Sequence, residues 1–196
     1  MATKGKRFLI LTRKGTFIMQ IRKAGLEDLT QILRIYERAR QFMRETGNPN
    51  QWKESYPPKA LTEQGILDGK LYVCVADGPQ DGAEEEAVRA GELLGVFYFA
   101  REEEASYREI REGSWQNSEP YAVIHRVAGS GRGKGFSRAC FDWATAQCPN
   151  IKIYTHRDNR VMQHVLEKNG FRYCGRITLA DGTERLAYQR CSREYR

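Results

Sequence analysis

YAVIHRVAGSGRGKGFSRACFDWATAQ, residues 121–147, decides the fold. A strand over 121–128 leads directly into GSGRGKG, and a helical pattern follows from 135 to 147. A strand, a glycine loop and a helix in that order present several backbone N–H groups at the positive end of a helix dipole. Such a junction suits an anion such as a pyrophosphate. Glycines let the backbone take φ > 0 and approach phosphate oxygens closely. Arg132 and Lys134 add positive charge beside it.

Spacing narrows the nucleotide class. A P-loop reading of Gly133-Lys134 needs glycine at 128 and Ser or Thr at 135, where Ala128 and Gly135 stand. The dinucleotide fingerprint needs a glycine six positions into the motif. Counting from Gly129, Gly131 or Gly133, that position holds Lys134, Phe136 or Arg138. Neither pattern is present.

Outward from the loop, the upstream chain reads as a strand at 19–23, a helix at 27–44, an aromatic loop at 50–58 and a short helix at 59–67. Strands at 70–76 and 92–100 flank a polar, acidic connection at 77–91, and a polar segment at 101–119 crosses to the quoted strand. Downstream come a strand at 151–155, a helix at 159–169 with Asn159 as N-cap and Gly170 as its stop, and a hairpin of 171–179 with 184–190. The order β-α-α-β-β-β-α-β-α-β-β predicts an α/β fold, a mixed central sheet with helices on both faces. The acidic runs Glu84–Glu86 and Glu102–Glu104 read as solvated loop faces.

Residues 132–137, RGKGFS, resemble the [RQ]-x-x-G-x-[GA] cradle of the GNAT superfamily of N-acetyltransferases, with Ser137 in place of the last small residue. IYTHRDNRVMQHVLEKNGF (153–171) resembles that family's next element, a strand followed by an Asn-initiated helix closed by Gly-Phe. AVIHRVAGSGRGKGFSRACFDWA, THRDNRVMQ, GFRYCGRI, ERLAYQR and the NQW…YP segment together look like one bacterial subfamily, over about residues 20–190.

The resemblance implies two neighbouring central strands that splay apart, with the pantetheine arm of acetyl-CoA lying between them. His125 and Val127 would bond the arm through their backbone. Arg132, Gly133, Lys134, Gly135, Phe136 and Ser137 would hold the pyrophosphate, and Asn159 would touch the arm from the other side. The Val127 N–H would polarise the thioester carbonyl. The family's usual general acid, a helix tyrosine, is replaced by Leu166.

His125 is the leading candidate base because an imidazole titrates near neutrality and this one sits on the central strand. A packed strand histidine is the bland alternative, and His156 is the weaker candidate. Arg126 alternates with His125 and should face the opposite way. Trp52, Tyr56, Tyr107 and Trp115 lie in the regions that shape the family's acceptor pocket. The expected activity is acetyl transfer from acetyl-CoA to a primary amine of a small molecule or peptide, in a ternary complex. The missing helix tyrosine keeps a non-catalytic acyl-CoA-binding module of the same fold as the alternative.

Composition is compatible with this. The 196 residues suit one domain, expected over 19–191. Of the net charge of +7, +5 lies in residues 1–18, which hold Lys4, Lys6, Arg7, Arg13 and Lys14 and no acid. The folded body is therefore not a phosphate-backbone surface, and no nucleic-acid partner is expected. Residues 1–18 read as a basic extension, disordered or an upstream-start artefact, and make a poor secretory signal. No stretch approaches the ~20 apolar residues of a membrane span. Five cysteines with no CxxC read as free thiols in a reducing compartment, the cytoplasm. Three scattered histidines give no metal site. A monomer or homodimer is expected.

Overall fold

The computed structural model describes residues 6–12, 15–77, 89–132 and 135–192. The chain forms two compact units whose segments alternate along the sequence. The first comprises Met1–Ala39, Pro57–Tyr98 and Arg126–Cys140, and the second Arg40–Tyr56, Phe99–His125 and Phe141–Arg196.

The first unit is built on antiparallel strands β1 (Lys6–Thr12), β2 (Gly15–Lys23), β3 (Leu71–Ala76) and most of β4 (Leu93–Ala100), neighbours in that order. The register pairs Thr12 with Gly15, Met19 with Ala76 and Cys74 with Gly95. Met19, Ile21, Leu71, Val73, Val96 and Phe97 are buried between strands and helix. Helix α1 (Leu29–Glu45) buries Ile32, Ile35 and Tyr36 at helical spacing, leaving its charged residues outward. Its entry is tied by Asp28. The Arg22 guanidinium donates to both carboxylate oxygens at 2.6 and 2.9 Å, and the Gly25 N–H donates at 2.8 Å. Burial would raise the Asp28 carboxyl, but these three contacts outweigh it and hold the group below its ordinary range. Helix α2 (Lys59–Leu67) starts after Pro58 and ends at Gly69, which turns the chain at φ 63°.

The second unit carries the first half of β5 (Ala122–Gly129), then β6 (Asn150–Thr155), β8 (Glu184–Cys191) and β7 (Arg172–Thr178), in the spatial order β5-β6-β8-β7. β5 and β6 are parallel and the other pairs antiparallel, so the sheet is mixed. The parallel ladder is limited to Ala122↔Ile151 and Val123↔Lys152, although both strands continue beyond it. Helices α3 (Phe136–Gln147) and α4 (Arg160–Lys168) follow β5 and β6 in the chain, α3 forming the connection that parallel strands need. The polar segment 101–121 is fastened to this unit. Arg111 and Arg176 exchange two backbone hydrogen bonds of 2.8 Å, and Gln116 donates two of 2.7 Å to Gln189, from its N–H to Oε1 and from its Nε2 to the carbonyl oxygen. Buried Asn150 and Gln189 extend that network, with Gln189 Nε2 donating to Asn150 Oδ1 at 2.7 Å. Cys74, Cys140, Cys148 and Cys174 are buried free thiols, and Cys191 is half-buried.

The expected element order is reproduced from β2 onward, with one strand ahead of it. The extension expected at 1–18 gives way to a hairpin: β1 pairs with β2, and β2 starts at Gly15 rather than at 19. The apolar run Phe8–Leu11 finds its partner across Gly15, so a leader-like stretch becomes a strand by pairing. Residues 27–28 belong to a 3₁₀ turn, Leu26–Asp28, ahead of α1. Most of the acidic connection at 77–91, with Glu84–Glu86, lies outside the described residues.

Candidate active site

In the first unit, β5 carries a backbone irregularity. Arg126 takes φ 52°, a left-handed conformation rare for a non-glycine residue within a strand. The strand is therefore not regular at the residue after His125. The Arg126 guanidinium lies 4.5 Å from the Tyr98 ring centroid, and its buried Nε has no hydrogen-bond partner among the described residues. Val127 is buried next to it in sequence.

The loop follows. The Ser130 N–H donates to Leu94 O at 2.9 Å, Gly131 turns at φ 78° and Gly135 at φ 92°. A Cβ on Gly131 would collide with the Arg38 guanidinium. Arg132 pairs with Glu92 at 2.8 Å while remaining about half exposed, and its N–H donates to Ser130 Oγ at 3.3 Å. Phe136 opens α3 with its ring packed on Gly95, and Ser137 follows, half-buried, in the first turn. Gly133 and Lys134 lie outside the described residues.

In the second unit, aromatic and charged side chains cluster on one face of β5 and β6. His125 Nε2 lies 3.1 Å from Glu104 Oε2, and its ring centroid is 5.0 Å from that of Tyr154. The His125 hydrogen bond holds the Glu104 carboxyl below its ordinary range against the opposing effect of burial. Ser106 Oγ donates to the other carboxylate oxygen at 3.2 Å, and the Glu104 N–H donates to the Tyr121 hydroxyl at 3.1 Å. Tyr107 is the hub, with ring centroids 5.1 Å from Trp115, 5.9 Å from Tyr121 and 6.1 Å from Tyr154. Trp115 Nε1 donates to Tyr107 O at 2.9 Å. Lys152 Nζ lies 4.1 Å above the Trp115 ring and 4.0 Å above that of Tyr121.

The structure thus brings His125, Tyr107 and Trp115 together. It places His156, Asn159, Trp52 and Tyr56 in other contacts. His156 Nδ1 accepts the Asp158 N–H at 3.2 Å, and burial with nearby Arg185 pushes its imidazole down. Asn159 Oδ1 caps α4 by accepting the Met162 N–H at 3.0 Å, while Nδ2 donates to Gln51 Oε1 at 2.9 Å. Asn48 donates to the same Gln51 oxygen at 2.9 Å, so Asn159 ties the NQW segment to α4. Trp52 is buried, edge-on to the more exposed Tyr56 at 6.1 Å. Leu166 is wholly enclosed.

Glu104 and Lys152 belong to this cluster and are passed over by sequence reasoning. Glu104 is hidden in an acidic run that reads as a solvated face. Lys152 carries a usable signal: one cation between two isoleucines in a strand otherwise apolar enough to be buried. Among the described residues no group of His, Cys, Asp and Glu could hold a metal ion. No helix among them is long and apolar enough to cross a membrane.

A mixed sheet whose central parallel pair parts after two rungs, with a glycine loop leading from that strand into a helix, is the acyl-CoA N-acyltransferase fold. The crystal structure of a GNAT-family acetyltransferase from Streptococcus agalactiae superimposes with a TM-score of 0.74 at 31% identity, covering 89% of this chain and 95% of that one. A GNAT-family acetyltransferase from Listeria monocytogenes shares the fold at 17% identity and a TM-score of 0.63, covering 94% of this chain and 100% of that one. No protein-family profile matches the sequence. No curated protein matches it either. The chain belongs to the GNAT family of acetyltransferases.

Proposed function

We propose that this chain moves an acetyl group from acetyl-CoA to a primary amine by direct attack within a ternary complex. The supporting observation is that His125 stands on β5 just beyond the last rung shared with β6, paired with Glu104 at 3.1 Å.

The residues present suit acetyl-CoA as the co-substrate. Gly131 and Gly135 hold the loop at positive φ, where a side chain would be strained, and the Arg38 guanidinium lies against Gly131. The first-turn amides of α3 have no helical carbonyl to bond. Acetyl-CoA supplies the activated thioester. Residues from Arg132 to Ser137 hold its pyrophosphate, and the backbones of His125 and Val127, with Asn159, hold its arm. The Val127 N–H stabilises the developing oxyanion.

His125 takes the proton from the attacking amine, and Glu104 fixes the imidazole tautomer and stabilises the imidazolium. Leu166 occupies the family's tyrosine position, so the same imidazolium returns the proton to the departing thiolate, whose thiol is of ordinary basicity. That replacement also favours a second reading, a non-catalytic acyl-CoA-binding module.

Thermal unfolding with and without acetyl-CoA, followed by thiol release over an amine panel, tests both. Ligand at about 100 times Kd is expected to stabilise the chain by about 2.7 kcal/mol, with thiol release from at least one amine. Absence of a thermal shift at millimolar acetyl-CoA defeats both readings. A shift with no amine consumed leaves the binding module.

A further inference from the structure

Lys152 is the single charged residue of β6, and it is only 5% exposed. Its ammonium sits over the faces of Trp115 and Tyr121, and among the described residues it pairs with no carboxylate. Burial pushes its pKa down to about 8, with the nearby Cys174 and Cys191 thiols opposing, while the two ring faces favour the charged form. At neutral pH Lys152 is therefore a buried cation without an anion. Such a charge is costly unless something partners it.

A second orphan lies in the same cluster. The Tyr107 hydroxyl is buried and has no hydrogen-bond partner among the described residues. Burial keeps it a neutral donor, with its pKa well above the ordinary phenol. The structure needs neither group to be polar. A phenylalanine would fill the Tyr107 ring position, and an aliphatic stem would fill that of Lys152.

Opposite charge stands close by. The Tyr121 hydroxyl accepts the Glu104 N–H, and the face of the same phenol carries the Lys152 ammonium. The Tyr107 ring touches Trp115, Tyr121 and Tyr154, and Tyr154 touches His125. The cluster therefore offers an anion with a base at Glu104 and His125 on one side, a cation at Lys152 on the other, and a spare hydroxyl at Tyr107. A molecule bearing an amine and a carboxylate a few atoms apart satisfies both sides. Simple alkylamines leave Lys152 and Tyr107 unpaired, and acids without an amine offer His125 nothing to deprotonate.

We infer that the acceptor is a free amino acid, its carboxylate held by Lys152 and the Tyr107 hydroxyl and its amino group presented to His125 and Glu104. This rests on the acetyl-transfer reading and names the acceptor class of that same site. Lys152 and Tyr107 then act as specificity-determining residues.

The test measures thiol release by the full chain with acetyl-CoA over matched sets: each amino acid, its methyl ester and its decarboxylated amine. Turnover is expected to favour the free amino acid in at least one set. Lys152→Met should raise KM for that amino acid by about 30-fold or more, with the loss falling on KM rather than kcat. Tyr107→Phe should raise it about 5-fold. Lys152→Met keeps the apolar stem and removes a buried charge, so its melting temperature should match or exceed that of the parent. Equal turnover of esters and decarboxylated amines overturns the inference, as does a Lys152→Met variant that keeps the preference. If acetyl-CoA raises the melting temperature but no amino acid is consumed, the amino-acid inference fails and the cofactor reading stands. Without that thermal shift, both fail.

Discussion

The Glu104 carboxylate accepts from Ser106 Oγ at 3.2 Å and meets His125 Nε2 at 3.1 Å, while its backbone N–H is bonded to Tyr121. A carboxylate so engaged stays ionised through the neutral range, since the His125 hydrogen bond holds it low. Glu104→Gln keeps a hydrogen-bonding group of the same size and removes the charge that stabilises an imidazolium. On the mechanism above, kcat/KM should fall by about 10²-fold, the lower part of the range for positioned proton transfer. The thermal shift with acetyl-CoA should persist, and an unchanged kcat/KM would remove Glu104 from the mechanism. Nothing in the sequence separates Glu104 from its neighbours Glu102 and Glu103, because the turn that directs it inward depends on Tyr121, 17 positions away. His125 was legible because its strand was, and its partner was not. Arg126 shows a related limit: period-2 alternation assumes a regular strand, and a φ of 52° is not regular strand geometry.

Elements were more legible than residues. α1 and α4 carry clear apolar faces, α2 is bracketed by Pro58 and Gly69, and the expected bounds of all three lie close to the observed ones. β1 escaped because its evidence is pairing with β2, which no local pattern displays. Segment 101–121 has no period at all and is placed by contacts such as Gln116 to Gln189, 73 positions apart. At the junction of β4 and α3, Gly95 is matched to Phe136: a Cβ there would fall within the ring. Gly95→Ala should force the first residue of α3 outward, destabilise the chain by about 1–3 kcal/mol as overpacking does, and weaken the acetyl-CoA thermal shift. Calorimetry of the variant with and without acetyl-CoA checks both parts. An undiminished shift would mean that the start of α3 can move without cost to the loop.

For the whole chain, the order of motifs sufficed to indicate the family, which the 31% identity to the streptococcal acetyltransferase then establishes. The acceptor side was hidden because it is assembled from residues far apart in sequence. One chain-wide property has a practical consequence. Four of the five thiols are buried, and burial holds Cys74, Cys140 and Cys174 above their ordinary pKa, Cys174 at about 11. Only thiolates react readily. The native chain should therefore give a colorimetric disulfide reagent no more than one prompt equivalent, from Cys191, and five after denaturation. Two or more prompt equivalents would contradict the burial described. The sulfurs so become a built-in gauge of unfolding, and coenzyme A released by the proposed transfer would be read against an almost silent background.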